Sequence, residues 1–306
     1  MSCSKILTWR SLLTIFTIIF LVLILTVITI LFIIRPPRTN INELLFPGIL
    51  YQRVALSQPR PIMIHIVSID LTTPGVKALV TPRISTFPDM KITARTTSEF
   101  VNEFDLRLAI NANFFYPFSE KTPWNFYPKS GELVNVVGRA ISNGNDYSRI
   151  NDNRNWPALC FSVNNYAQIS DDSVCPAQTR QAISGNLILV ANGQAVTVPK
   201  NTPFSQRPYP RTAVATNQKG DKLWLILVDG KQPFYSEGMS MAELTEIMIN
   251  LGVDKALGLD GGGSTTLVVR YQDKAKSLNS PIHTNIPMRQ RSLANHLGFY
   301  ALPESN

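Results

Sequence analysis

The chain has 306 residues, 44% of them apolar and 16% charged, which is enough for one large domain or two small ones with ample core. Its formal net charge of +8 divides unevenly: Lys5, Arg10, Arg35 and Arg38 flank one apolar segment and no acid precedes Asn40, which leaves 25 basic against 21 acidic residues elsewhere. That ordinary balance, with no basic run, argues against a nucleic-acid groove, and no nucleic-acid partner is expected.

From Leu12 to Ile34 there is no charged residue, Gly or Pro. At helical rise this length matches the hydrocarbon thickness of a bilayer, which predicts one transmembrane anchor after a short tail over 1–11. A cleaved signal peptide would have a shorter apolar run and small residues at its end, whereas Arg35-Pro36-Pro37-Arg38 follows here. The flanking charges balance and do not set orientation. Residues 35–60, rich in Pro and polar groups, read as a stalk, leaving 61–306 as the folded domain.

The domain opens with a mostly apolar strand over Pro61 to Asp70, a Pro74-Gly75 turn and a second strand to Val80. His65, between two isoleucines, reads as a packed residue without a role. Thr97 to Phe104 carries Phe100, Val101 and Phe104 at helical spacing behind hydroxyl caps. The strand after it ends in Asn111 and Asn113, whose amides fall on one face and could grip a hydroxylated ligand. Tyr116 to Trp156 reads as a long binding loop in which Trp124, Phe126, Tyr127 and Trp156 could wall a sugar site.

Cys160 and Cys175, 15 positions apart, fit either a disulfide worth roughly 3 kcal/mol or two free thiols. Ala182 to Val190 reads as one strand, followed by an Asn192-Gly193 hairpin turn and a return to Val198. Arg211 stands at a strand entry, where its planar fork suits a phosphate or carboxylate. The apolar run from Leu223 ends at Asp229-Gly230, and Ser240-Met-Ala-Glu243 is a capping box that opens a helix stopped by Gly252. The most specialised stretch is Leu259-Asp-Gly-Gly-Gly-Ser-Thr-Thr266. An acid at a strand end, glycines that admit close backbone approach, and three hydroxyls suit an anionic or polyhydroxylated ligand.

At least eight strands against two convincing helices predict an α+β fold built on a strand-rich mixed sheet with few helices, because a doubly wound fold needs a helix at nearly every crossover. Gly-x-Ser-x-Gly, His-Glu-x-x-His and zinc-spaced cysteine pairs are missing, so no metal or other cofactor is expected.

Taken in order, Asn111-Ala-Asn-Phe-Phe115, Ser184-Gly185, Pro210-Arg-Thr-Ala213, Asp229-Gly230, Ser240-x-x-Glu243, Leu259 to Thr266 and Arg291 to Gly298 resemble the phosphodiester glycosidase family over roughly Pro61 to Leu302. Many relatives read Asn-Gly-Gly-Phe-Phe where this chain has Asn-Ala-Asn-Phe-Phe. The resemblance implies hydrolysis of a sugar-1-phosphodiester in envelope glycan or exopolysaccharide metabolism, while the anchor, the cysteines and the absence of Asn-X-Ser/Thr acceptors fit a bacterial envelope location with the domain outside. It implies Asp260 as first catalytic carboxylate, with Asp229 or Glu243 as second. Asn111, Asn113, Arg211, Thr212, Gly261, Gly262, Gly263, Ser264, Thr265 and Arg291 would hold substrate. A membrane-anchored glycan-binding protein that keeps the fold without the reaction is the alternative, and oligomeric state is left open.

Overall fold

A computed structural model describes residues 9–83, 91–147, 155–197 and 203–303. Cys3 and Lys5, the end of the strand expected to reach Val198, and part of the loop before Trp156 lie outside the described residues. The chain divides into two compact units, 1–36 and 37–306. The first contains the helix Trp9–Ile33, which is long and apolar enough to cross a membrane. Its threonines donate to carbonyls four residues earlier, so their hydroxyls are satisfied within the helix.

The second unit is strand-rich with few helices, as expected. Its main sheet has eight strands in the order Ile41–Phe46, Ile49–Leu56, Ile62–Asp70, Lys222–Val228, Arg211–Thr216, Lys255–Gly258, Leu187–Ala191 and Gln194–Ala195. Every ladder between described strands is antiparallel, which narrows the expected mixed sheet. The central strands are apolar at consecutive positions because both faces are covered. Along Lys222–Val228, Leu223, Leu225 and Leu227 enter the main core, while Trp224, Ile226 and Val228 pack under the helix Met241–Asn250. The alternating partition continues along Ile62–Asp70.

Two five-stranded sheets close the other side of the core. One is ordered Lys274–Ser277, Leu267–Tyr271, Leu108–Asn111, His296–Tyr300 and Lys77–Val80, and its outer face is covered by the helix Thr97–Glu103 through Phe100 and Val101. The other contains Ile141–Ser142, Gln181–Ser184, Ala158–Phe161 and Ala167–Ser170. Both longer helices of this unit begin on complete capping boxes, Thr96 with Glu99 and Ser240 with Glu243. Cys160 and Cys175 form a disulfide.

Two expectations are corrected. Residues 41–56 are not a stalk: they form a hairpin about Pro47-Gly48 that adds the first two strands to the main sheet, and Ile49 and Tyr51 are core residues. Nor is Ala182 to Val190 one strand. Gln181–Ser184 and Leu187–Ala191 belong to different sheets, and the chain passes between them at Gly185, where a side chain would collide with the Gly258 carbonyl.

The passage between sheets is tied by Asn113. Its Nδ2 donates to the carbonyls of Val137 and Arg139, both at 2.9 Å, and its Oδ1 accepts from Ser184 N–H and Asn295 Nδ2, both at 3.0 Å. All four amide positions are filled by protein groups, so Asn113 is a structural clamp and does not present itself to a ligand. Asn113→Ala is expected to cost about 2–4 kcal/mol by orphaning several buried partners at once, read as a lower denaturant midpoint with an unchanged slope.

Candidate active site

A cavity of about 550 Å³ opens where the Arg211–Thr216 strand, the turn after Lys255–Gly258 and the loop after Asn111 converge. Its wall includes Phe114, Phe115, Phe118, Tyr209, Arg211, Thr212, Asp260, Gly261 and Arg291. The charged residues of this lining are two arginines and one aspartate, so the cavity favours an anion, and the aromatic faces offer apolar surface beside it.

Asp260 follows the Lys255–Gly258 strand, and its height is fixed from both sides: its N–H donates to Ala112 O at 3.2 Å and its carbonyl accepts from Asn111 Nδ2 at 2.6 Å. Asn111 Oδ1 in turn accepts from Thr212 Oγ1 at 3.0 Å and Thr266 N–H at 3.1 Å. Asn111 therefore positions Asp260 instead of meeting substrate. Desolvation pushes the Asp260 carboxyl up to about 6, partly offset by the Ser264 hydroxyl, the Arg291 charge and the Gly261 N–H. Ser264 Oγ donates to Asp260 Oδ2 at 2.6 Å and accepts from Arg291 Nη1 at 3.1 Å.

Arg211 is buried on the opposite flank. Its Nε donates to Met239 O at 2.9 Å and its Nη2 to Arg207 O at 3.0 Å, and its guanidinium lies 5.5 Å from the Tyr209 ring centroid. Burial pushes it down to about 10, which still leaves it cationic at neutral pH.

Arg291 is held on three edges and a face. Besides Ser264, its Nη2 meets Glu120 Oε2 at 2.7 Å, its Nε donates to His283 Nδ1 at 3.3 Å, and Phe118 stacks on it at 4.3 Å. Three of its five N–H groups are thus committed within the protein. Because His283 Nδ1 accepts from Arg291 it carries no proton, and burial first, then the Arg291 charge, pushes this imidazole down to about 4. The 3.3 Å approach of Glu120 to His283 is therefore not an ion pair at neutral pH.

The glycines serve close packing. Gly262 has φ +64°, and a Cβ there would lie 2.8 Å from the Tyr209 ring; a Cβ on Gly263 would fall inside the Arg291 guanidinium. Gly263→Ala is expected to cost about 1–3 kcal/mol by pressing on Arg291, measured by thermal denaturation.

Of the residues expected to hold substrate, Arg211, Thr212, Gly261 and Arg291 line the cavity with Asp260. Ser264 and Thr265 are buried behind it, the Thr265 hydroxyl lying 3.2 Å from Thr212 Oγ1, whose own hydrogen goes to Asn111. Asp229 lies elsewhere: its carboxylate accepts from His65 Nε2, Asn279 Nδ2 and Ser280 N–H, with His65 Nδ1 bonded to Tyr51. This buried network explains His65 and leaves Asp229 no route to a ligand in the cavity. Glu243 is occupied by its cap and by Arg60, whose Nη2 lies 2.5 Å away. Trp124, Phe126, Tyr127 and Trp156 are likewise outside the cavity wall, which uses Phe114, Phe115, Phe118 and Tyr209. Phe118 and Glu120 carried no sequence signal beyond membership of the aromatic loop. No group of three or more His, Cys, Asp or Glu that could hold a metal occurs among the described residues.

Comparison with known proteins bears on this arrangement. The family model for phosphodiester glycosidases matches residues 104–300, a span that includes Asn111, Arg211, Asp260, Ser264 and Arg291. No curated protein matches the chain in sequence. Solved structures that share its fold include the following three. A hypothetical protein from Synechocystis is 16% identical with a TM-score of 0.55, over 87% of this chain and 64% of its own. The catalytic domain of zebrafish N-acetylglucosamine-1-phosphodiester alpha-N-acetylglucosaminidase, auto-inhibited by its pro-peptide, is 18% identical with a TM-score of 0.55, over 89% and 87%. An exported protein of Burkholderia pseudomallei is 14% identical with a TM-score of 0.51, over 78% and 74%. This chain thus spans less than two thirds of the Synechocystis protein. With the family model covering well over half the chain and its matched span containing the cavity's charged residues, the protein belongs to the phosphodiester glycosidase family.

Proposed function

We propose that the protein is a membrane-anchored hydrolase that cleaves the C1–O bond of a sugar-1-phosphodiester of the N-acetylglucosamine-1-phosphodiester type. The observation that carries this reading is the single carboxylate, Asp260, sharing one cavity with Arg211 and Arg291. The arginines neutralise the phosphodiester and take up charge as the phosphate monoester leaves, so departure needs no proton. The Asp260 carboxylate stabilises the cationic anomeric centre and accepts a proton from the attacking water. The water oxygen ends on C1, and the C1–O electron pair leaves with the phosphate.

The ionised form of Asp260 is the working one, so kcat/KM rises with pH through about 6. The Trp9–Ile33 helix serves as the anchor, and the Cys160–Cys175 disulfide favours an oxidising compartment for the domain, in keeping with a cell-envelope glycan as substrate. The test is a screen of sugar-1-phosphodiesters with the purified chain and Asp260→Asn. Turnover by the wild type alone supports the reading, while binding without turnover by either protein leaves a glycan-binding protein in its place.

A further inference from the structure

The second carboxylate near the cavity is one that no motif singled out. Glu120 belongs to the short strand Ser119–Glu120, paired with Phe126–Tyr127 in a surface hairpin. The hairpin is docked on the site by three contacts: Arg289 stacks on Phe126 at 4.6 Å, Arg289 Nη1 donates to Pro123 O at 2.7 Å, and Phe126 meets the His283 ring edge-on at 4.7 Å. Docking brings Glu120 to Arg291, and an unbroken chain of hydrogen bonds links Glu120, Arg291, Ser264 and Asp260, at 2.7, 3.1 and 2.6 Å.

We infer that Glu120 is a positioning residue for the reaction: it holds the Arg291 guanidinium so that Nη1 meets Ser264, and through that chain it sets how readily Asp260 ionises. The inference rests on the functional reading of Asp260 given above. The groups that face this relay can be named. Asp260 meets Ser264, the Gly261 N–H and the Arg291 charge, and shares its cavity with Arg211 and Tyr209. Arg291 meets Glu120, neutral His283 and the Phe118 face, with Arg289 acting on His283. Glu120 supplies negative charge to Arg291 from the side away from Asp260. That charge weakens the pull of Arg291 on Asp260 and keeps the carboxyl higher than the arginine alone would leave it.

The experiment uses the full chain in detergent micelles, with aspartate labelled at the carboxyl carbon and the Asp260 resonance assigned by its loss in Asp260→Asn. Glu120→Gln keeps an acceptor for Arg291 but removes the charge, and is expected to lower the Asp260 titration midpoint by about 0.5 pH unit, with the acidic limb of kcat/KM moving by the same amount. Glu120→Asp returns the midpoint toward the wild type. Arg291→Lys, which keeps the charge but cannot bridge Ser264 and Glu120, moves it upward if the relay reaches Asp260 through Arg291. A midpoint that stays within about 0.1 pH unit of wild type in Glu120→Gln, or in Glu120→Ala should Glu120→Gln fail to fold, reduces Glu120 to a latch for the hairpin. If the wild type hydrolyses no sugar-1-phosphodiester, the functional reading falls while the resonance still decides the relay.

Discussion

Asp260→Asn is expected to lower kcat by about 10²–10⁴-fold while leaving the fold and ligand binding in place. The amide keeps the shape of the carboxyl and an oxygen able to accept from Ser264 Oγ, and the backbone ties to Ala112 and Asn111 do not involve the side chain. Burial already resists the charge at this position, so a neutral isostere does not weaken the folded state. What disappears is the negative charge and the proton acceptor at the anomeric centre. Steady-state kinetics together with calorimetric titration of a non-hydrolysable analogue separate the two effects, and loss of binding in parallel with kcat would make Asp260 a substrate anchor instead.

Arg211→Gln is expected to lower kcat/KM by about 10²–10³-fold, because the leaving phosphate loses a cation held in a partly dry cavity. The guanidinium is aimed by Met239 O and Arg207 O and by the Tyr209 ring, and Tyr209 itself rests on Gly262. Lysine has one nitrogen in place of a fork, so Arg211→Lys recovers the charge without the aim and is expected to restore only a small part of the loss. If Arg211→Lys matches wild type, charge alone matters and the fork geometry carries no catalytic weight. An arginine exposed at the rim would lose its influence at high salt; buried Arg211 is screened less, so the wild-type to variant ratio is expected to persist in strong salt.

The parts of the fold that were legible in the sequence are those set by local chemistry. The apolar helix, the Ser240 capping box, the hydroxyl-capped helix before Phe104 and the uninterrupted Leu223 to Val228 run follow from periodicity, hydroxyl-acid spacing and double-sided burial. The hairpin of 41–56 had a signal in Pro47-Gly48 between two apolar runs, masked by the proline-rich residues just before it. Two-residue strands such as Ser119–Glu120 leave no period to read, since their register is fixed by partners far along the chain.

In the site, Asp260 and Arg211 line the cavity, and each stood out in the sequence as a charged residue at the end of an apolar strand. Asn111 and Asn113 could not be separated from ligand-binding amides by type, as the same four hydrogen-bond positions serve carbonyls and sugars equally well. Asp229 illustrates the same ambiguity: its strand-end position repeats that of Asp260, but His65, Asn279 and Ser280 surround it, and those partners come from two other parts of the chain. Glu120 reaches Arg291 across 171 positions of sequence, a separation over which no local pattern speaks.

The most direct test of the central claim is hydrolysis in water enriched in oxygen-18, with the products separated and weighed by mass spectrometry. Attack at the anomeric carbon, with Asp260 beside it and the phosphate leaving intact between the arginines, predicts that the label enters the sugar at C1 and that the phosphate monoester stays unlabelled. Label in the phosphate would mean cleavage of a P–O bond, and would contradict a glycosidase mechanism at this site.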